Sequence, residues 1–152
     1  MTKDEIEDYL LTLEHELIFK STRYSIELNR EWAKSFPNSS AVYLFREEGE
    51  ICYIGETGSL RGRMADLLNT KNHTVRRNLG SFHYSLDSTY EKASSKKGFS
   101  EEIEGLLNER ITKYLTVSYI LVDLGRKELE ERLFEKLKPR YSLKGKRNTN
   151  KK

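Results

Sequence analysis

The stretch Ala41–Leu68, AVYLFREEGEICYIGETGSLRGRMADLL, decides how the rest of the chain is built. Two short apolar runs, Ala41 to Phe45 and Ile51 to Gly55, flank a polar connection that contains Gly49. Runs of this length around a glycine-bearing turn predict a β-hairpin. The second run stops at Gly55, and after a small linker a helix begins near Ser59 carrying Arg61 and Arg63. Tyr43 and Tyr53 then lie on neighbouring strands, with an arginine-bearing helix returning beside them. Tyrosine on a strand is ordinary. Two tyrosines facing one guanidinium across a hairpin are a candidate phosphate site.

Upstream, Thr2-Lys3-Asp4-Glu5 has the form of a capping box. Ile6, Tyr9, Leu10, Leu13 and Leu17 follow at helical spacing, which predicts an amphipathic helix over roughly residues 3 to 19. A second short helix is expected around Ile26 to Lys34, with Trp32 on its apolar face, ended by the turn cluster from Phe36 to Ser40. Downstream, Asn72 or Thr74 is placed to cap a short helix carrying Arg76 and Arg77, which Gly80 should end. Phe82 to Ser85 reads as a brief strand or turn, and Ser88 to Gly98 as a loop. Ser100-Glu101-Glu102 opens a helix to about Tyr114, with acids in the first turn suiting the dipole. Thr116 to Leu124 is β-branched and apolar, so a buried strand. Arg126 to Lys138 is the last helix, with Leu129, Leu133, Phe134 and Leu137 on one face and Pro139 beyond it. The order predicts an α+β domain, a small sheet of about three strands covered by helices.

At 152 residues the chain is expected to form one domain. Charged residues make up 34% of it, above the usual quarter, so the surface is highly polar. No apolar run approaches membrane-spanning length, and Met1 is followed by a polar, acidic segment, so a cytoplasmic protein is expected. Cys52 is the only cysteine, which excludes an intrachain disulfide and a thiolate metal cluster. The net charge of +3 is small, but its distribution is uneven. Arg61, Arg63, Lys71, Arg76 and Arg77 face Asp66 alone between residues 57 and 80, and the tail from Lys144 onward is basic. Positive charge near the presumed site and at the chain end suits a polyanion partner.

The motifs resemble those of the GIY-YIG nuclease family. Ala41-Val42-Tyr43 matches the first motif except at its glycine, and Tyr53-Ile54-Gly55 matches the second intact. The family's arginine falls ten residues after the second motif's tyrosine, here Arg63, and its glutamate nine residues before a proline, here Glu130 before Pro139-Arg140-Tyr141-Ser142. The resemblance frames most of residues 40 to 143. It implies a central three-stranded antiparallel sheet flanked by helices. The expected division is a helical extension (1–40) packed on the core, a nuclease domain (41–143) and a flexible basic tail (144–152).

What the resemblance implies about function is a metal-dependent endonuclease hydrolysing DNA phosphodiester bonds, with RNA left open as a substrate. Tyr43 would be the general base, although a phenol with an ordinary pKa of about 10 needs roughly three units of depression, about 4 kcal/mol, to act at neutral pH. Tyr53 would position water or phosphate. Arg63 would hold the scissile phosphate, because guanidinium stays charged and can donate two parallel hydrogen bonds. Glu130 would bind Mg²⁺ or Mn²⁺, with Glu131 the competitor if the register slips by one. One carboxylate suffices where water and phosphate oxygens complete the shell. Many family members carry a histidine four residues after the arginine, where this chain has Leu67. His73 is the expected substitute, as an acid or phosphate ligand, ahead of His83 and His15. Arg61, Arg76, Arg77, Lys144, Lys146 and Arg147 are candidates for nucleic-acid backbone contacts. Glu56 should face away from the site. Ser142 stands where the family has asparagine. With Ala41 and Leu67 it favours the alternative, a nucleic-acid-binding module on the same fold with weak or no turnover, which the retention of Tyr43, Tyr53, Arg63 and Glu130 opposes.

Overall fold

The computed structural model describes residues 1–142. Helix α1 (Lys3–His15) opens with the expected capping box, Thr2 and Glu5 each receiving the other's backbone N–H. It runs into a wider π-helical turn, Glu16–Lys20. A two-residue strand β1 (Tyr24–Ser25) and a short helix α2 (Arg30–Lys34) follow. The hairpin is β2 (Ala41–Glu47) and β3 (Glu50–Thr57), then α3 (Leu60–Asp66) and α4 (Thr74–Tyr84). The chain continues through α5 (Glu101–Tyr114), β4 (Leu115–Leu121) and α6 (Arg126–Leu137).

The sheet is antiparallel, in the order β1-β4-β2-β3. It therefore has four strands, not the three expected. Tyr24 and Ser25 pair with Val117 and Thr116 and add a short outer strand beside β4. Two residues carry no alternation to read. Their position is set by tertiary contacts: Ile26 is buried and Trp32 Nε1 donates to Ser25 O at 2.9 Å.

Every residue of β2 is buried, because helices cover both faces of this central strand. Tyr43 and Phe45 point into one apolar cluster with Leu60, Met64, Val75, Leu79, Ile103 and Ile111 of α3, α4 and α5. Val42, Leu44 and Ile54 point into the other, with Leu10 of α1 and Leu129 and Leu133 of α6. The hairpin turn is two residues, Glu48 and Gly49, both with positive φ (51° and 87°), the mirror-image turn that matches sheet twist. A bulge follows: Phe45 pairs with Tyr53 but Arg46 with Ile51, leaving Cys52 extra. That extra residue changes the strand's parity and lets Ile51 and Ile54 both reach the second cluster.

Two expectations on α4 are corrected. Gly80 does not end the helix, which continues through Phe82 to Tyr84 where a strand or turn was expected. A Cβ at Gly80 would collide with the Phe99 ring, so this glycine serves close packing of the loop before α5, not helix termination. Among the described residues no helix is long and apolar enough to cross a membrane.

Candidate active site

β2 and β3 place Tyr43 opposite Gly55, with Tyr53 two pairs further along on the same face. The phenol rings of Tyr43 and Tyr53 stack at 6.2 Å between centroids. A Cβ at Gly55 would overlap the Tyr43 ring, so the last residue of the second motif makes room for the tyrosine of the first. Gly55→Ala is expected to push Tyr43 out of place. It should lower stability by about 1–3 kcal/mol, as overpacking does, in a thermal or denaturant melt. Unchanged stability and activity would show that the ring has room to move.

Ser59 caps α3 through its side chain, and the helix aims Arg63 back at the sheet. Arg63 Nε donates to Tyr43 Oη at 3.1 Å, and Nη1 donates to Asp66 Oδ2 at 3.1 Å and to the Asn72 carbonyl at 3.0 Å. The guanidinium is thus held on three sides, while its side chain keeps 25% exposure at the mouth of the site. Burial pulls its pKa down, but the two phenols and Asp66 outweigh that, and the net shift is up. It is a permanent cation.

His73 reaches Tyr43 from a different element. It is the N-cap of α4, and its Nδ1 accepts the Val75 N–H at 3.1 Å. An accepting Nδ1 puts the proton of a neutral ring on Nε2, which then donates to Tyr43 Oη at 3.1 Å. Burial, with Arg63, Arg77 and Arg76 nearby, holds His73 well below its ordinary pKa. His73 is wholly buried, as Tyr43 is, and its two ring nitrogens are engaged by Val75 N and by the Tyr43 hydroxyl, so it packs directly against the Tyr43 oxygen. Leu67, where many family members have histidine, is a fully buried core residue.

Tyr43 is wholly buried and its oxygen accepts from both Arg63 and His73. Burial pushes its phenol well above the ordinary value, Tyr53 adds to this and Arg63 opposes it. Tyr53, nearly as buried, is pushed up by burial, opposed by Arg63 and raised further by the charge of Glu130. Glu130 of α6 therefore lies within electrostatic reach of Tyr53. It is half-buried, whereas Glu128, Glu131 and Glu135 are exposed. Glu56 is the cross-strand partner of Val42, so it faces away from Tyr43, and it accepts from Arg126 at 2.7 Å.

The basic candidates separate. Arg76 is 2% exposed, paired with Glu104 at 2.6 Å and bonded to Thr70 and the Leu67 carbonyl, so its expected nucleic-acid contact is corrected to an internal one. Arg77 is half-buried and donates to the Thr70 and Lys71 carbonyls and to Thr74 Oγ1; its charge is felt by His73. Arg61 is exposed, with Nε on the Phe36 carbonyl at 2.9 Å. Lys144, Lys146 and Arg147 lie outside the described residues.

The Pro139–Ser142 ending runs along the free edge of β3. Tyr141 N donates to Cys52 O at 2.8 Å, and Ser142 Oγ accepts from Ile54 N at 3.4 Å, so serine retains a brace on the second motif. The Tyr141 hydroxyl donates to Glu47 at 2.6 Å, and Glu47, 6% exposed, also accepts from Arg110 Nε at 2.7 Å. Burial opposes ionisation of Glu47, but these hydrogen bonds outweigh it and its pKa is lowered. No motif pointed to this carboxylate, because its partners come from α5 and the C-terminal segment.

Among the described residues no group of three or more His, Cys, Asp or Glu side chains is placed to hold a metal. A zinc centre does not fit. A single carboxylate in electrostatic reach of Tyr53 is compatible with Mg²⁺, which keeps several waters and takes phosphate oxygens as ligands.

The family model for the GIY-YIG catalytic domain matches residues 9–152, and the chain belongs to that family. It is an enzyme of the GIY-YIG endonuclease type. Among solved structures it is similar to the N-terminal GIY-YIG endonuclease domain of UvrC from Thermotoga maritima. A point mutant of that domain bound to its catalytic divalent cation is 20% identical, with a TM-score of 0.45 over 76% of this chain and 94% of that chain. The magnesium-bound domain is 19% identical, with a TM-score of 0.41 over 75% and 94%. No curated protein matches the chain significantly.

Proposed function

We propose that this protein is a divalent-metal-dependent endonuclease that hydrolyses DNA phosphodiester bonds by attack of water. The observation that carries the proposal is the convergence of Arg63 Nε and His73 Nε2 on the Tyr43 oxygen, with Glu130 in electrostatic reach of the adjoining Tyr53. Mg²⁺ or Mn²⁺, held by Glu130, would supply a Lewis acid and a water of lowered pKa. Arg63 binds the non-bridging oxygens of the scissile phosphate and offsets the charge that grows there. Three of its N–H groups are committed to protein, and Nη2 carries the other two. Tyr43 takes the proton of the attacking water as phenolate. The two N–H donors on its oxygen favour that anion once the phenol proton has left. Tyr53 orients water or phosphate, and His73 is a positioning residue that fixes the Tyr43 oxygen. The first forty residues act as a layer on the nuclease core, through Leu10 and Leu17 against one face of the sheet and Ile26, Trp32 and Phe36 against the other.

The test is cleavage of supercoiled, linear and branched DNA, and of RNA, with Mg²⁺, with Mn²⁺ and with chelator. Metal-dependent cutting of DNA is expected. Cutting of RNA alone would move the substrate class, and no cutting of any substrate would overturn the proposal.

A further inference from the structure

We infer that the cleft between α2 and α3 is the track along which the phosphate backbone of the DNA strand leaves the scissile position. This rests on the endonuclease reading above. The cleft has a volume of about 590 Å³. Arg30, Lys34 and Arg61 line it together with Asn38, Asn69 and Asn72, and among the described residues no acid does.

Several cations elsewhere in the protein are neutralised by carboxylates. Arg63, Arg76, Arg110, Arg126, Arg132, Lys97, Lys136 and Arg140 all have carboxylate partners. Arg30, Lys34 and Arg61 form no ion pair among the described residues, and all three are exposed. Three uncompensated cations in one concave surface create a positive potential that a polyanion neutralises. Arg61 is also pre-positioned, since Nε is fixed on the Phe36 carbonyl while its terminal nitrogens remain. The three asparagines add uncharged donors and acceptors suited to phosphate and sugar oxygens.

The cleft is continuous with the site. Asn72 lines it, and its carbonyl accepts from Arg63 Nη1 at 3.0 Å. Arg61 and Arg63 are two residues apart on α3, about 3 Å along the axis and about 200° around it. One helix therefore presents one arginine to the Tyr43 side and the other to the cleft. A strand anchored by a phosphate at Arg63 passes over α3 into the cleft, where Arg30 and Lys34 of α2 receive the following phosphates. The helix that supplies them comes from the first forty residues, ahead of the hairpin.

The experiment measures DNA binding by the full chain in chelator, as a function of salt, for wild type, the double variant Arg30→Gln/Lys34→Gln, and a control of equal charge change, Lys3→Gln/Lys20→Gln. The control residues stand at the first position of α1 and the last of the π-helical turn that continues it, and these elements pack on the opposite sheet face. Both cleft residues are exposed, so a melting curve should confirm an unchanged fold. Each lost phosphate contact flattens the slope of log K against log salt by about one unit. The cleft variant is expected to lose about two units and the control none. Wild type that binds with cleft and control variants alike would overturn the cleft assignment and leave the nuclease reading standing. Wild type that does not bind DNA even at low salt would overturn both.

Discussion

Glu130→Ala is expected to abolish metal-stimulated cleavage, a loss on the order of 10³-fold or more, while DNA binding in chelator is retained. The magnitude follows from what a bound cation contributes. Polarising a phosphoryl oxygen and activating water is worth several kcal/mol, and each 1.36 kcal/mol or so is a factor of ten in rate. The position follows from how α6 is docked. Leu129 and Leu133 are fully buried in the second cluster and set the rotation of the helix. A step of about 100° from Leu129 brings Glu130 to the boundary of the packed face, and a further step carries Glu131 into solvent. Only Glu130 is reported by the Tyr53 phenol, whose pKa its charge raises. Removing a carboxylate from beside a phosphate site takes away repulsion, so binding without metal should hold or tighten. Glu131→Ala is the matched control and should cleave normally. Full metal-dependent cutting by Glu130→Ala would reject the assignment, and loss in Glu131→Ala instead would shift the register by one.

The parts of this site legible in the sequence are those fixed by local pattern. The hairpin, the α3 arginine and the α6 glutamate lie on elements whose apolar spacing and turn residues are strong, and their separations survive folding unchanged. What was illegible depends on partners distant in the chain. Arg76 reads as a surface base beside Arg77, yet its partner Glu104 enters from α5 and buries it. The cap of α4 reads as Asn72 or Thr74, the commoner capping types, whereas His73 uses its ring nitrogen, because only there can Nε2 also meet Tyr43. Gly80 reads as a helix end until Phe99 is seen against it. β1 exists only because β4 has an open edge and Trp32 ties Ser25 beside it. The hydrophobic alternation expected of a strand is absent from β2 for the same kind of reason: it is central and covered on both faces.

Tyr43→Phe should reduce cleavage about 10²- to 10⁴-fold, the range of a lost general base, and should change the pH profile as well as the rate. In the wild-type protein burial keeps the Tyr43 phenol above its ordinary pKa of about 10. A base active only as phenolate then gains tenfold in its reactive form with each pH unit below that value. Log kcat/KM should climb with a slope of about +1 from about pH 7 to pH 9 without a plateau. His73 cannot produce this rise. Its folded pKa lies well below about 6.5, so it is already neutral throughout the window. The fold bounds the window on both sides. Below about pH 6.5 the unfolded chain takes up a proton on His73 that the folded protein excludes, so stability falls as pH falls. Above about pH 10 the unfolded chain ionises Tyr43 and the folded protein does not, so stability falls as pH rises. The phenylalanine variant also leaves Arg63 Nε and His73 Nε2 without their acceptor, at a cost of about 1–3 kcal/mol for a buried unsatisfied group. Assays well below its melting temperature separate that cost from the chemistry. If Tyr43 is the base, the residual rate of Tyr43→Phe is independent of pH across the window. A variant that is slow but keeps the unit slope would assign the titrating proton to the water on the metal and reduce Tyr43 to an acceptor that aligns Arg63.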